Sequence, residues 1–206
     1  TVSILSDRWA FLVLRESYFG ARRFQTFQSA LGVPRQTLTL RLRKLTAQGL
    51  LRRTAYSDRP ARYEYRLTEM GIDMYPVMLA LLAFGDKWLS RSRPPPIYLV
   101  HNPCRCVCRP TVACSHCQAE VNVRTVAYRD GPGAGITRVA GIPRNRRSSD
   151  SAVLDRGRPS SVARSLKAIG DRWSFMVLRE TFFGVRRFDD LQSKLGIAPA
   201  DDLELF

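Results

Sequence analysis

Gln36, Thr39, Leu40 and Arg43 fall at helical spacing on the side of segment 35–48 opposite Leu38, Leu42 and Leu45, with Arg35 and Lys44 at the margins. At about 100° per residue the three leucines form one stripe for a core, so the other set is left facing outward. These residue types read base edges. Glutamine pairs bidentately with adenine, threonine serves either base, an apolar side chain meets a thymine methyl, and arginine or lysine meets guanine or phosphate. Arg59 and Arg62 stand in a hairpin loop just downstream, where a basic tip can reach the sugar-phosphate backbone or a minor groove. One such side chain alone is usually a solvated surface charge; one helix face and one loop that carry them together point to double-stranded DNA. Arg41 lies about 70° from the centre of the leucine stripe. It therefore either pairs with a carboxylate such as Glu16 beside the core or contacts a phosphate.

A second set could hold a metal. His101, Cys104, Cys106, Cys108, Cys114, His116 and Cys117 occupy 17 positions. Cys114-Ser115-His116-Cys117 has the two-residue gap that turns both sulfurs toward one tetrahedral zinc ion, and His101 with Cys104 repeats that gap. The expected ligands are His101, Cys104, Cys114 and Cys117, a closed structural site. Cys106 and Cys108 remain outside that set and could replace its histidine side or form a redox pair. The alternative is a cluster of reduced thiols without metal. No Ser/His/Asp spacing or phosphate-binding loop occurs, and both histidines lie inside this cluster, so the sequence offers no catalytic constellation and the chain is expected not to be an enzyme.

The elements that must position these residues are legible. Asp7 can cap a helix predicted over residues 8–19, with Trp9, Leu12, Val13 and Phe19 near helical spacing and Gly20 as its stop. A second helix, with Phe24, Phe27 and Leu31 on one side, ends at Gly32-Val33-Pro34. Pro34 is tolerated at the entrance of the helix over 35–48. Runs rich in β-formers at 50–56 and 63–67, joined by 57–62, predict a hairpin. Helix, turn, helix and basic-tipped hairpin make a winged helix-turn-helix arrangement. A long helix should follow over about 72–89, with Pro76 in its first turn. Its eight consecutive apolar residues, 77–84, put apolar side chains all round, so one side should pack on the domain and the other on a second subunit. A homodimer through this helix is the expectation.

The chain also begins one unit twice. Asp7-Arg8-Trp9-Ala10-Phe11-Leu12-Val13-Leu14-Arg15-Glu16 returns 164 positions later as Asp171-Arg172-Trp173-Ser174-Phe175-Met176-Val177-Leu178-Arg179-Glu180, and residues 7–34 match 171–198 at 17 of 28 positions. A further helix is predicted to open the second copy over 161–169, of which residues 1–6 would be the remnant in the first. The reading is thus mainly α (α+β). It comprises a winged helix-turn-helix domain over 1–93, a Cys/His-rich β segment over 97–128, a basic flexible linker over 129–159 rich in Gly, Pro, Ser and Arg, and a partial helical repeat over 160–206.

Composition fits. With 206 residues, 45% hydrophobic and 10% aromatic, the chain can build a real core. Its charge of +15 is uneven: residues 1–90 carry 14 basic and 7 acidic side chains, 91–160 carry 12 and 4, and 161–206 carry 7 and 7. Such an excess attracts a polyanion over a Debye length of about 8–10 Å. No apolar run approaches the roughly 20 residues of a bilayer span, so a cytoplasmic protein without a membrane partner is expected.

Residues 1 to about 90 and 160–198 resemble the HxlR family of bacterial winged-helix transcription regulators. The resemblance rests on Arg8-Trp9, Leu14-Arg15-Glu16, Phe19-Gly20, Arg23-Phe24, Leu38-Thr39-Leu40-Arg41-Leu42-Arg43-Lys44-Leu45, Gly49-Leu50, Tyr63-Glu64-Tyr65-Arg66-Leu67-Thr68 and Gly71. It implies a homodimer formed through first and last helices, palindromic operators, a groove-reading role for 35–48 and a wing role for 57–62. Three departures stand out. Pro34-Arg35 replaces the usual Ser-Pro, removing a capping hydroxyl. Ser160 occupies the place of the cysteine of redox-sensing members. After Ala198-Pro199, residues 200–206 are acidic and lack the Arg-Leu-Arg run, so the second copy should not bind DNA. The expected function is an operator-binding regulator. Competing readings are a zinc or thiol redox protein, and a protein-interaction module in which the second repeat supplies a missing first helix.

Overall fold

The computed structural model describes residues 7–90, 94–129, 131–132 and 160–196. The expectations for residues 1–6, for nearly all of the 129–159 linker and for the acidic stretch 200–206 lie outside the described residues. The chain divides into two units: described residues up to 110 together with 160–175 form the first, and described residues from 111 to 132 together with 176–196 form the second.

Helix α1, Arg8–Tyr18, is the centre of the first unit. Asp7 starts it by accepting the Ala10 N–H on Oδ1 at 3.1 Å. The sequence pattern suggested one apolar face. Instead Ala10, Phe11, Leu12, Val13 and Leu14 are all at most 2% exposed, because neighbours cover the helix on several sides, whereas Phe19 remains 38% exposed. Helix α2, Phe24–Leu31, adds Phe27 and Leu31 to the same core. Helix α3, Arg35–Ala47, follows with Pro34 at its N-cap and no side-chain capping bond, the consequence expected from the missing hydroxyl. Its Leu38, Leu42 and Leu45 are fully buried.

The wing is an antiparallel pair, β1 Leu51–Asp58 and β2 Ala61–Leu67, in register from Leu51↔Leu67 to Asp58↔Ala61 with an irregularity between Ala55 and Ser57. Both strands run further than their β-forming residues suggested, so the loop shrinks from 57–62 to Arg59-Pro60. Ladder pairing, which no propensity scale contains, extends the strands. Arg23, between α1 and α2, bridges Glu64 antiparallel, and the Tyr65 N–H donates to the Arg22 carbonyl at 2.8 Å. The α1–α2 connection is thereby fixed beside the wing.

The predicted helix 72–89 is two helices. Helix α4, Glu69–Asp73, is capped by Thr68, whose Oγ1 accepts the Gly71 N–H at 3.1 Å; helix α5, Tyr75–Trp88, starts after Met74. Pro76 accounts for the break: it has no N–H to donate back toward the Ile72 carbonyl, so the ladder of α4 stops, while Pro76 itself is tolerated in the first turn of α5. Tyr18 ties α1 to this joint by donating from its hydroxyl to the Gly71 carbonyl at 2.6 Å. Burial, and the neighbouring Tyr75, push the Tyr18 pKa up to about 12.

Helix α6, Ser161–Ile169, opens the second repeat yet packs on α5 in the first unit. Ser160 caps it by accepting the Ala163 N–H at 3.3 Å, the role this position plays in place of a thiol. Val162 and Leu166 enter the common core, Ser165 Oγ donates to the Leu81 carbonyl at 2.6 Å, and Ser161 Oγ donates to Asp86. Gly85 makes this approach possible, since a Cβ there would lie 2.2 Å from the Ser161 carbonyl oxygen and 2.8 Å from Ser165 Oγ. Gly85→Ala should therefore push α6 off α5. A loss of about 1–3 kcal/mol, the usual cost of overpacking, is expected in denaturant unfolding, together with faster proteolysis near residue 160. An unchanged midpoint and cleavage rate would show that the two helices do not need this contact.

Helix α7, Arg172–Phe182, and helix α8, Phe188–Leu195, complete the repeat. In the second unit Tyr128 meets Phe183 edge-on, with centroids 5.2 Å apart. Two short strands of the first unit, β3 Leu99–Val100 and β4 Val107–Cys108, pair antiparallel in the cysteine-rich segment.

Candidate nucleic-acid interface

The buried leucines of α3 fix which of its side chains face out. Arg35, Gln36, Leu40 and Arg43 are exposed, Leu40 by 50%, and Thr39 is half-buried. Gln36, Leu40, Arg43 and Ala47 form a stripe along the outer face at helical spacing. Thr39 donates its hydroxyl to the Arg35 carbonyl at 2.8 Å, leaving its oxygen able to accept. Arg35 lies over the Phe24 ring, 5.3 Å from the centroid, so it is held close to the start of α2. A phosphate at the start of α3 would meet both this guanidinium and the first-turn N–H groups.

Two of the basic residues of α3 meet a carboxylate of the protein itself. Arg41 Nε stands 2.8 Å from Asp7 Oδ1, and Lys44 Nζ donates to Asp7 Oδ2 at 3.0 Å. Pairing Arg41 with a carboxylate was one of its two expected roles, but the carboxylate is Asp7 rather than Glu16. Glu16 is already taken by Arg15, whose Nε and Nη2 donate to the same oxygen at 2.9 and 2.5 Å. Asp7 thus caps α1 and clamps α3 against it, which sets the angle at which the outer face of α3 is presented. The helix spacing of 41 and 44 was visible in sequence; a partner more than thirty residues away was not.

On the wing, Arg59 and Arg62 are exposed at and beside the tip. Sequence reasoning missed further guanidinium groups on the hairpin and its edge. Arg52, Arg53 and Arg66 are exposed along the strands, Arg53 stacking on Tyr63 at 3.4 Å from its centroid, and Arg23 lies over Tyr56 at 4.8 Å. Arg66 pairs with Glu64 at 2.6 Å. The signal was present in the doublets Arg52-Arg53 and Arg22-Arg23, the latter repeated as Arg186-Arg187; what was hidden was that β2 pairs with the first doublet's strand and with Arg23. Stacked arginines of this kind keep a planar face pre-organised for a phosphate.

The cysteine-rich residues lie apart from this surface in sequence and form turns of their own. His101 Nδ1 is 3.3 Å from Cys104 Sγ. The backbone N–H groups of Cys117 and His116, together with the Cys117 thiol, hold the Cys114 thiol below its ordinary range. Among the described residues no three His, Cys, Asp or Glu side chains already surround one point as a metal would require. Among the described residues, too, no helix is long and apolar enough to cross a membrane.

The family model for the HxlR-like helix-turn-helix matches residues 4–93. An uncharacterised HTH-type transcriptional regulator of Mycobacterium tuberculosis is 43% identical over 132 residues, which is 64% of this chain and 84% of that protein. Another from Synechocystis is 42% identical over 92 residues, 44% of this chain and 68% of the relative. Among solved structures, one described as a candidate transcription factor superposes with a TM-score of 0.55 at 26% identity, over 63% of this chain and 91% of that one. The fold is therefore the winged helix-turn-helix, and the proteins it resembles are transcription regulators, not enzymes.

Proposed function

The chain belongs to the HxlR-like helix-turn-helix family of transcription regulators, and on that premise we propose that it binds operator DNA as a dimer, α3 entering the major groove and the wing gripping the flanking backbone. One observation carries the reading: α3 buries Leu38, Leu42 and Leu45 completely while Arg35, Gln36, Leu40 and Arg43 face solvent together. Gln36, Thr39 and Leu40 address base edges, and Arg43 addresses guanine or phosphate. Arg35, Arg59 and Arg62 hold phosphates, with Arg52 and Arg53 extending the basic strip along the wing. Arg41 and Lys44 act through Asp7, setting the pose of α3.

The dimer surface is the side of α5 that its own core and α6 leave open. Pro76, Ala80, Phe84 and Trp88 follow one another at i, i+4 spacing, with Phe84 40% and Trp88 65% exposed. An exposed apolar stripe of this kind suits an isologous contact with a second copy, which would set two α3 helices about 34 Å apart on one DNA face.

Fluorescence anisotropy over a salt series tests the reading, using the DNA upstream of the chain's own coding region and a scrambled duplex. A dimer neutralising about 6–10 phosphates loses roughly a thousandfold or more in affinity between ~50 and ~200 mM salt, and prefers one sequence over the other. Weak, salt-insensitive and sequence-blind binding would overturn the assignment. Trp88→Glu should dissociate the dimer in analytical ultracentrifugation; an unaltered mass would remove α5 from the interface.

A further inference from the structure

The connector between α1 and α2 is built a second time, between α7 and α8, with the same backbone. Gly20 and Gly184 both take left-handed conformations, at φ 91° and 86°. The Ala21 N–H donates to the Glu16 carbonyl at 2.9 Å, and the Val185 N–H donates to the Glu180 carbonyl at 3.0 Å. Arg23 and Arg187 follow at φ −97°, ψ 148° and φ −92°, ψ 143°, both extended. In the first copy this extended edge carries a strand. The Tyr65 N–H of β2 donates to the Arg22 carbonyl at 2.8 Å, Glu64 bridges Arg23, and the Tyr65 ring meets Phe27 edge-on with centroids 6.5 Å apart. In the second copy the edge is bare: among the described residues no backbone N–H donates to the Arg186 carbonyl and no strand bridges Arg187.

The side chains around the edge have lost the matching cover. Phe27 is fully buried, whereas Leu191 at the corresponding position is half-buried; Phe24 is half-buried against the core, whereas Phe188 is 73% exposed. An extended edge with unpaired backbone groups is a template for another strand. One that keeps its shape without a partner gives up little freedom on gaining one. A cleft of about 540 Å³ adjoins it, lined among others by Phe183, Val185, Arg186, Arg187, Asp190 and Lys194, so that three cations stand against one carboxylate. All of these residues belong to the second unit. We propose that the Arg186–Arg187 edge takes up, by strand addition, an extended segment of another protein in which acidic and aromatic residues alternate. Main-chain bonds give such an added strand its affinity, and the places for its alternate side chains give selectivity. Its aromatic residues lie on Phe188 and Leu191, as Tyr65 lies on Phe27 in the first copy. Carboxylates at its other positions meet the cations of the cleft. The first copy spends this edge on its own wing; the second offers it outward.

Fluorescence anisotropy with the full chain and a labelled peptide of alternating glutamate and tyrosine, as long as β2 and blocked at both ends, reads this directly. Saturable binding of one peptide per chain is expected. Methylating the peptide's backbone nitrogens removes the strand bonds, and replacing its glutamates by lysines reverses its charge; each change should cost about tenfold or more in affinity. Arg187→Glu with Lys194→Glu should lose the glutamate peptide and gain the lysine one. Arg59→Ala with Arg62→Ala, on the wing of the first copy, should alter neither. Far-ultraviolet circular dichroism verifies that each variant keeps its helices. The proposal fails if the parent chain leaves the glutamate peptide free, if methylated and unmethylated peptides bind alike, if the Arg187/Lys194 variant binds as the parent does, or if the Arg59/Arg62 variant loses the peptide. Binding that appears only after Asp201→Asn, Asp202→Asn and Glu204→Gln would assign the edge to the chain's own acidic residues and overturn the partner as well. DNA affinity does not enter the readout, so the edge stands or falls separately from operator binding.

Discussion

Replacing Gln36 and Arg43 together by alanine is expected to erase the distinction between operator and scrambled DNA while the protein stays folded. Both side chains lie on the outer stripe of α3, and neither belongs to the core that Leu38, Leu42 and Leu45 build. Removing two base contacts at about 1–3 kcal/mol each costs about 2–6 kcal/mol of discrimination. Affinity for the scrambled duplex should fall far less, because phosphate contacts from Arg35 and the wing persist. Arg59→Ala with Arg62→Ala provides the contrast: both duplexes should weaken together and the salt slope should flatten by about one for each phosphate contact removed. If the α3 variant still prefers the operator by the parent's margin, the outer stripe does not read bases. Comparable thermal unfolding of variant and parent excludes loss of fold as the cause.

The second large effect is expected from the core. Arg15 and Glu16 are neighbours in α1, with side chains 4% and 3% exposed, joined at 2.5 Å. Glu16→Ala leaves a guanidinium buried without its counter-charge, a change that costs about 3–5 kcal/mol, whereas a double replacement by methionine, apolar and of similar volume, is often neutral or stabilising. The molecule carries its own comparison. Arg179 and Glu180 repeat the pair in α7 at the same 2.5 Å, but there the arginine side chain is 46% exposed. Water can solvate that arginine once its partner is gone, so Glu180→Ala should cost well under half as much. Urea unfolding of the two single variants decides this: equal losses would show that burial does not govern the pair. Partners in one repeat thus predict the sign in the other, but only the surroundings predict the size.

That contrast also marks how far the sequence could be read. Periodicity of 3.6 located α1, α2 and α3, glycines and Pro34 marked their ends, and two runs of β-forming residues joined by a basic loop located the wing, because these signals are written in consecutive residues. Of the set Gln36, Thr39, Leu40 and Arg43 read as outward from the leucine stripe, Gln36, Leu40 and Arg43 are exposed and Thr39 is half-buried. The division at Met74 could have been drawn from Pro76, whose missing N–H interrupts a helical ladder locally. Extension of the strands to Asp58 and Ala61 could not, because it depends on a partner strand.

Longer-range choices were invisible for the same reason. Asp7 is both the cap of α1 and the counter-charge of Arg41 and Lys44, yet nothing near position 41 names Asp7 over Glu16 as the partner. The apolar girdle of α5 announced that more than one neighbour must cover it, and the structure covers part of it with α6 from the opening of the second repeat, through Gly85 and Ser161. Similar sequences then met different fates: Leu14 is fully buried in one copy, whereas Leu178 is 37% exposed in the other. Amino-acid order alone determined which stretches coil, where they stop and which side of each is oily. Which oily side meets which, and therefore which charges are sealed from water and which remain for a ligand, was decided by packing, because burial is a property of neighbours that the chain brings together from far apart.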